Sequence, residues 1–273
     1  MQEKISLAGD LGSGKSTVSK LLVELLGMEY YSTGTICRAV AAKHGMSVVE
    51  MNVYMETHPE LDREIDDGLV ALSDVDKPLL IDSRMAWHFV RDTFRVYLST
   101  EVAVSAARIF GAGRAEEQFA SVEETEAQIR RRRDSEKKRY LELYGVNNKD
   151  LFNYDLVLDT TYATPAEIAD CIACAFRAWQ ADRASRFCYL SPLRLYYRAD
   201  GGAEEDTVAS LSAEIDGGAR PSLDVTIDGE RFLSMGEAAL PLAYALSDVP
   251  FIPCRLIKTE GTDGEWVRMA DSL

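Results

Sequence analysis

Nowhere in the 273 residues do apolar side chains continue for the roughly 20 positions that a bilayer-spanning helix needs. The opening stretch MQEKISLAGD carries neither a basic cluster nor a long apolar segment, so no secretory leader is expected. Cysteine is sparse and odd in number. Cys37, Cys171, Cys174, Cys188 and Cys254 are scattered, which excludes a disulfide framework and points to reduced thiols in a cytoplasmic protein. Cys171 and Cys174 form a CxxC, but within AEIADCIACAFRAW the apolar residues recur at helical spacing, and no second CxxC or histidine pair accompanies them. Helix packing is therefore expected there rather than a metal site. Histidine is limited to His44, His58 and His88, which share no metal-ligand spacing. Positive charge is also short: 30 Lys and Arg face 45 Asp and Glu, a net −15. Such a surface repels phosphate backbones and argues against broad nucleic-acid binding.

What is present is an ordinary globular composition, 47% hydrophobic and 27% charged, in a chain whose length suits two domains. Up to about residue 182, short apolar runs (KISLAG, KPLLIDS, FRVYLST, YDLVLDT) alternate with amphipathic ones such as KSTVSKLLVELLG and VAVSAARIF. Strands alternating with helices predict α/β architecture, a parallel sheet flanked by helices. Beyond AFRAWQADRASR the chain becomes turn-rich, and LDVTIDGERFLSM reads as a hairpin about Asp228-Gly229. A boundary is expected near residue 184, with residues 185–273 forming a small α+β domain.

The stretch GDLGSGKST fits the phosphate-loop pattern through Gly9, Gly14, Lys15 and Ser16, with Gly12, Ser13 and Thr17 completing the loop. A strand-like run precedes it and a helical run follows, as the pattern requires. Glycines let backbone N–H groups curl toward phosphate oxygens, Lys15 reaches the β and γ phosphates, and the Ser16 hydroxyl is suited to Mg²⁺. No N-K-x-D follows for guanine, since NNKD lacks the spacer, and no strand ends in a consecutive acidic pair. The remaining common class is the small P-loop kinases, acting with a nucleoside triphosphate. In MEYYSTGTICRAVAAKHGMS, a Thr33-Gly34 turn follows a short strand and precedes Arg38. LLIDSRMAW ends a strand with Asp82 and sets Arg84 just beyond it. Ligands collect outside the carboxyl ends of such strands, so Arg84 should project toward the phosphate loop, and Asp82 could hold Mg²⁺ through water.

One segment contradicts the acidic balance: IRRRRDSEKKRY at 129–140. Arg132, Glu136 and Arg139 stand at i, i+4 and i+7 and so share one helical face, with Glu136 placed to orient two guanidinium groups. Arg130, Arg131, Arg133 and Lys137 read instead as a solvated face.

Residues 1 to about 180 resemble the cytidylate kinase family, nearest its archaeal-type branch, through GSGKST, YYSTGTICRAVAAKHGMS, ELDREID, LIDSR, RDSEKKRYLELYGV and YDLVLDTTYATPAEI, in order. The resemblance implies transfer of the γ-phosphoryl group of ATP to CMP or dCMP with Mg²⁺. It further implies that the basic segment is a lid, with Arg132 and Arg139 in the transfer and Glu136 at the acceptor's sugar. Arg38 and Arg84 would grip the acceptor phosphate, with Thr33 and Gly34 lining its pocket. Met85 replaces an aspartate common in bacterial members, which leaves Asp62, Arg63 or Asp66 to serve the base. A kinase for another monophosphate or small hydroxyl acceptor, and a non-catalytic nucleotide sensor, remain open alternatives. In the second part, CYLSPLRL, TVASLSAEI, RPSLDVTIDGERFLSMGEAALPLAYAL and VPFIPCRLI resemble the ParB/sulfiredoxin-like domain, with Ala238 and Ala239 where that family has basic residues. With 8 basic and 15 acidic residues in 186–273, no DNA binding is expected. A non-catalytic module for homodimerisation, a protein partner or small-molecule regulation is, with a purely structural appendage as the equal alternative.

Overall fold

A computed structural model describes residues 3–55, 57–112, 119–247, 249–259 and 262–273. The chain begins with β1 (Lys4–Gly9), α1 (Lys15–Leu26), β2 (Glu29–Ser32), α2 (Thr33–Lys43), α3 (Val48–Met55) and α4 (Pro59–Ala71). There follow β3 (Leu79–Asp82), a single turn α5 (Ala86–Phe89), β4 (Thr93–Ser99), α6 (Val102–Gly111), the long α7 (Val122–Tyr144), β5 (Leu156–Asp159) and α8 (Pro165–Ala181). The last part runs β6 (Phe187–Leu190), β7 (Leu195–Arg198), α9 (Glu205–Asp216), β8 (Leu223–Asp228), β9 (Arg231–Ser234), α10 (Ala239–Leu246), β10 (Ile252–Leu256) and β11 (Trp266–Arg268).

The four apolar runs of the first part are strands for the reason their sequences suggest. All six residues of β1 and all four of β5 are buried, as expected of parallel strands covered on both faces. Alternation then divides the core. Leu156 and Leu158 of β5 join Ile5, Leu7, Val96 and Leu98 under α1 and α8, whereas Val157 joins Ala8 and Tyr97 on the opposite face. Helix α8 opens on a capping box between Thr164 and Glu167, with Pro165 in its first turn, and lays Ile168, Ile172, Phe176 and Trp179 on the sheet. Within it Cys171 packs on this core as expected, but Cys174 is exposed.

Six strands form a parallel array in the order β2-β3-β1-β4-β5-β6, and the sheet continues through β10-β8-β9-β7-β11 with mixed directions. The sheet thus runs on past residue 184 through β6, and its pairing changes from parallel to mixed only where β6 meets β10. Strand β6 pairs in parallel with β5, placing Leu156 opposite Phe187. One apolar cluster contains Tyr97, Tyr154 and Val157 from the first part and Leu190, Val225 and Tyr244 from the second. The expected hairpin is present: β8 and β9 are antiparallel, Asp228 pairs with Arg231, and Gly229 takes the φ of +60° that a two-residue turn favours.

Candidate active site

Strand β1 lies between β3 and β4, parallel to both, and runs straight into the loop that starts α1, so this loop sits at the carboxyl ends of the strands, where open α/β sheets bind ligands. Gly14 caps α1 in the left-handed region (φ +84°), and no side chain caps the helix. The first N–H groups and the positive end of the helix dipole therefore face the crevice. Gly9 has a different reason to be glycine. It lies at φ +149° against β4, where a Cβ would meet the Leu98 carbonyl oxygen at 2.5 Å, and it does not line the crevice. Ser13 Oγ is buried in the loop with no partner of its own. Lys15 Nζ donates to the carbonyl oxygens of Gly9 (3.1 Å) and Asp10 (2.9 Å). Burial pushes this ammonium down to about 8, against the pull of Asp82 and Asp10.

A cleft of about 250 Å³ gathers Gly12, Ser13, Gly14, Lys15, Ser16 and Thr17 of the loop and the start of α1 with Thr33, Gly34 and Arg38 of α2, Asp82 at the end of β3 and Arg84 just beyond it. Arg132, Glu136 and Arg139 of α7 close it. The sequence had these residues on separate elements; the fold brings them to one cavity, with Gly9 outside. Glu136 is 3% exposed and takes two guanidinium groups: Arg132 Nε at 3.0 Å on Oε1, and Arg84 Nη1 at 2.9 Å on Oε2. Burial alone would raise its pKa, but Arg84 and Arg132 hold it below the usual carboxylate value. Arg84 is thus a partner of Glu136 from outside α7, while Arg139 Nε lies 3.3 Å from Asp62 Oδ2 and adds to the pull on Glu136. Arg38 remains exposed at the mouth and donates to Thr35 Oγ1 at 3.1 Å. Tyr30 donates to Asp82 Oδ2 at 3.0 Å.

The wall expected to meet a base is mixed. Met85 is buried beside Leu69, and both line the cleft with Asp62 and Asp66, whereas Arg63 does not. Asp66 accepts from Tyr144 Oη, and burial raises its pKa to about 6. A second cleft of about 390 Å³ lies across the phosphate loop, between Gly12–Gly14, Arg108 of α6 and the start of α8 at Pro165. Arg108 donates to the carbonyl oxygens of Gly12 (3.4 Å), Thr160 (2.8 Å) and Thr161 (3.1 Å). Two clefts meeting at one anion-binding loop, one lined with arginines, are suited to aligning two phosphorylated ligands.

A sequence profile described as "Cytidylate kinase-like family" matches residues 4–162. The chain belongs to the cytidylate kinase-like family. It is similar to the cytidylate kinase of Thermoplasma acidophilum, 37% identical over 174 residues that span 62% of this chain and 90% of that one. The cytidylate kinase of Sulfurisphaera tokodaii is 35% identical over 170 residues, 62% and 92% of the two chains. An S-adenosylmethionine-dependent nucleotide dehydratase of Lacinutrix mariniflava is 37% identical over 173 residues, 63% of this chain but 35% of that protein. Among solved structures, shikimate kinase from Acinetobacter baumannii aligns with 65% of this chain and 94% of its own at 20% identity and a TM-score of 0.45.

In this cytidylate kinase-like chain, three functional candidates escape sequence reasoning. Asp10, inside the phosphate loop, accepts from Tyr97 Oη (2.8 Å), from the Thr100 N–H (2.9 Å) and from Lys149. Burial would raise its pKa, but Lys149 and Arg133 drive it well below the usual carboxylate range. Arg133, expected on a solvated face, instead lies 3.1 Å from Asp10 through Nη2. The sequence pattern places Arg108 only within an amphipathic helix. An acid inside the glycine loop was the available signal for the first; its partners lie 87 or more positions away and left none.

Proposed function

We propose that this kinase moves the γ-phosphoryl group of ATP to the 5′-phosphate of CMP or dCMP. Family membership makes the chain an ATP-dependent nucleoside monophosphate kinase; the choice of cytidylate is supported by the relatives' names and by the motifs in α2, β3 and α7. The observation that carries the reading is Glu136 held between Arg84 and Arg132 on the wall facing Lys15. A sensor of ATP alone has no use for such an acceptor-side clamp.

An oxygen of the acceptor phosphate attacks the γ-phosphorus, the bond to the β–γ bridging oxygen breaks, and ADP leaves with that electron pair. The charge of this loose transition state is spread over the equatorial oxygens, so positioned cations supply most of the catalysis. Lys15 and the uncapped start of α1 would hold the donor phosphates. Arg38 and Arg84 would grip the acceptor phosphate as bidentate forks, with Thr33 and Gly34 beneath them. Arg132 and Arg139 would close over the transferring group, Glu136 keeping Arg132 and Arg84 apart and aimed. The second cleft beside Arg108 would take the donor's adenosine. The Ser16 hydroxyl and the Asp82 carboxylate are hard oxygen donors on the same cleft, and they fit Mg²⁺, which when bound neutralises the β and γ oxygens. Asp62 and Asp66 would face the base.

Residues 1–184 would carry the chemistry and residues 185–273 would act as a non-catalytic, ParB/sulfiredoxin-like part that supports self-association or a partner, in a cytoplasmic protein. Incubation with ATP, Mg²⁺ and a panel of acceptors tests the proposal. ADP should form with CMP and dCMP well ahead of AMP, UMP, GMP, shikimate or gluconate. Turnover of one of the latter with CMP and dCMP inert would overturn it.

A further inference from the structure

We infer that Glu230, in the C-terminal part, is a positioning residue for this transfer, holding α7 and its active-site face against the phosphate loop. The inference rests on the proposed kinase reading. Glu230 occupies the tip of the β8–β9 hairpin, next to Gly229, and so is carried on a tight, well-defined turn. Its Oε1 accepts from Arg133 Nη1 at 2.8 Å and its Oε2 from Arg130 Nη1 at 3.1 Å. Arg133 is only 12% exposed at its side chain, and its Nη2 reaches Asp10 of the phosphate loop. One guanidinium thus ties hairpin, helix and loop together, one residue from Arg132 and three from Glu136.

The connection is made through charge rather than packed carbon. The apolar residues of α7, Ile129 and Tyr140, pack with Val102 and Ala106 of α6 and with Ile81 and Met85 near β3, away from the hairpin. Between helix and hairpin lies a cavity of about 380 Å³ on which Asp10, Arg133, Lys137 and Glu230 open beside apolar side chains such as Ile227 and Phe232. Without the Glu230 charge, Arg133 keeps only Asp10 of these two acids, and Asp10 already takes Lys149. The family profile ends at residue 162, so Glu230 belongs to the part of the chain beyond it.

The test compares full-length Glu230→Gln with the parent. Glu230 is more than half exposed, so the variant should fold. Amide exchange without any substrate should quicken several-fold in residues 122–144 and stay unchanged in β1 and α8. With acceptor present, kcat/KM for the acceptor should fall about 3- to 10-fold at unchanged KM for ATP, the scale of coupling between directly contacting groups. Glu230→Asp should recover most of this, and Glu230→Gln should add little once Arg133 is already Met. Unchanged exchange in α7 overturns the inference whatever the activity, as does a lowered melting temperature with parental kinetics. Because the exchange measurement needs no acceptor, an error in the assigned substrate would leave it standing.

Discussion

In the part of the sheet that carries the phosphate loop, Arg84 and Arg132 share one carboxylate, Glu136. In the part beyond residue 184, Arg194, Arg231, Arg255 and Arg268 each have a carboxylate to themselves: Asp159, Asp228, Asp224 and Glu101. The residue type is the same, but these four pairs are one-to-one; beyond residue 184 a shared carboxylate recurs only where it faces the kinase part, as at Glu230 with Arg130 and Arg133, among the described ion pairs. Glu136 lies on the wall of the cleft that the phosphate loop lines, so its two guanidinium groups stand beside any anion bound there. The one-to-one pairs act as ties within the structure. Two of the ties, Arg194–Asp159 and Arg268–Glu101, cross from the C-terminal part into the kinase part. Arg194 is 5% exposed and also donates to Thr161 Oγ1 at 2.8 Å.

The largest effect that could break this contrast is deletion of residues 186–273. Strand β5 would become an edge, Tyr97, Tyr154 and Val157 would lose their cover, and buried Asp159 would lose Arg194. The remaining chain should give no cooperative melt. A soluble, active 1–185 fragment would show that the ties are dispensable. Next, Arg194→Met leaves Asp159 as an uncompensated buried charge, and denaturant unfolding should show a loss of about 3–5 kcal/mol. Turnover per folded molecule should be little changed. Arg132→Ala should do the reverse, with kcat down about 100-fold or more, as when a preorganised donor is removed, at nearly constant affinity for ATP and constant melting temperature.

A smaller effect is expected from pH. Lys15 is charged below about 8 and neutral above it, so kcat/KM for ATP, which reports the free enzyme, should decline as pH rises through that value. Lys15→Arg should remove that decline in whatever activity it retains. The smallest change should come from Arg255→Ala. Its pair with Asp224 is bidentate, with bonds of 2.7 and 2.6 Å, but the arginine is 74% exposed, so unfolding should shift by less than about 1 kcal/mol.

Much of the fold was legible because the parallel strands are continuous apolar runs and the hairpin carries its Asp-Gly signal. The continuation of the sheet was not. Nothing local in FCYL says that it pairs with LVLD, since the pairing depends on the Asp159–Arg194 tie and on a cluster assembled from both parts. The cleft was legible wherever one element carried the pattern, as with the phosphate loop or the shared face of Arg132, Glu136 and Arg139. It failed where two elements meet. One partner of Glu136, Arg84, comes from the loop after β3, and Arg133 is drawn inward by Asp10 from the phosphate loop and Glu230 from the hairpin. Helical spacing alone could only place Arg133 in solvent. Gly9 fits the loop pattern, yet its role is steric, set by the approach of β4.

The most direct test of the shared-carboxylate claim is a crystal structure with CMP and a non-hydrolysable ATP analogue bound together. The acceptor phosphate should lie within about 3 Å of guanidinium nitrogens of Arg38 and Arg84, with Arg132 turned toward the γ-phosphate and Glu136 still between its two arginines. A CMP phosphate held elsewhere, with those arginines contacting only Glu136 and solvent, would contradict the account.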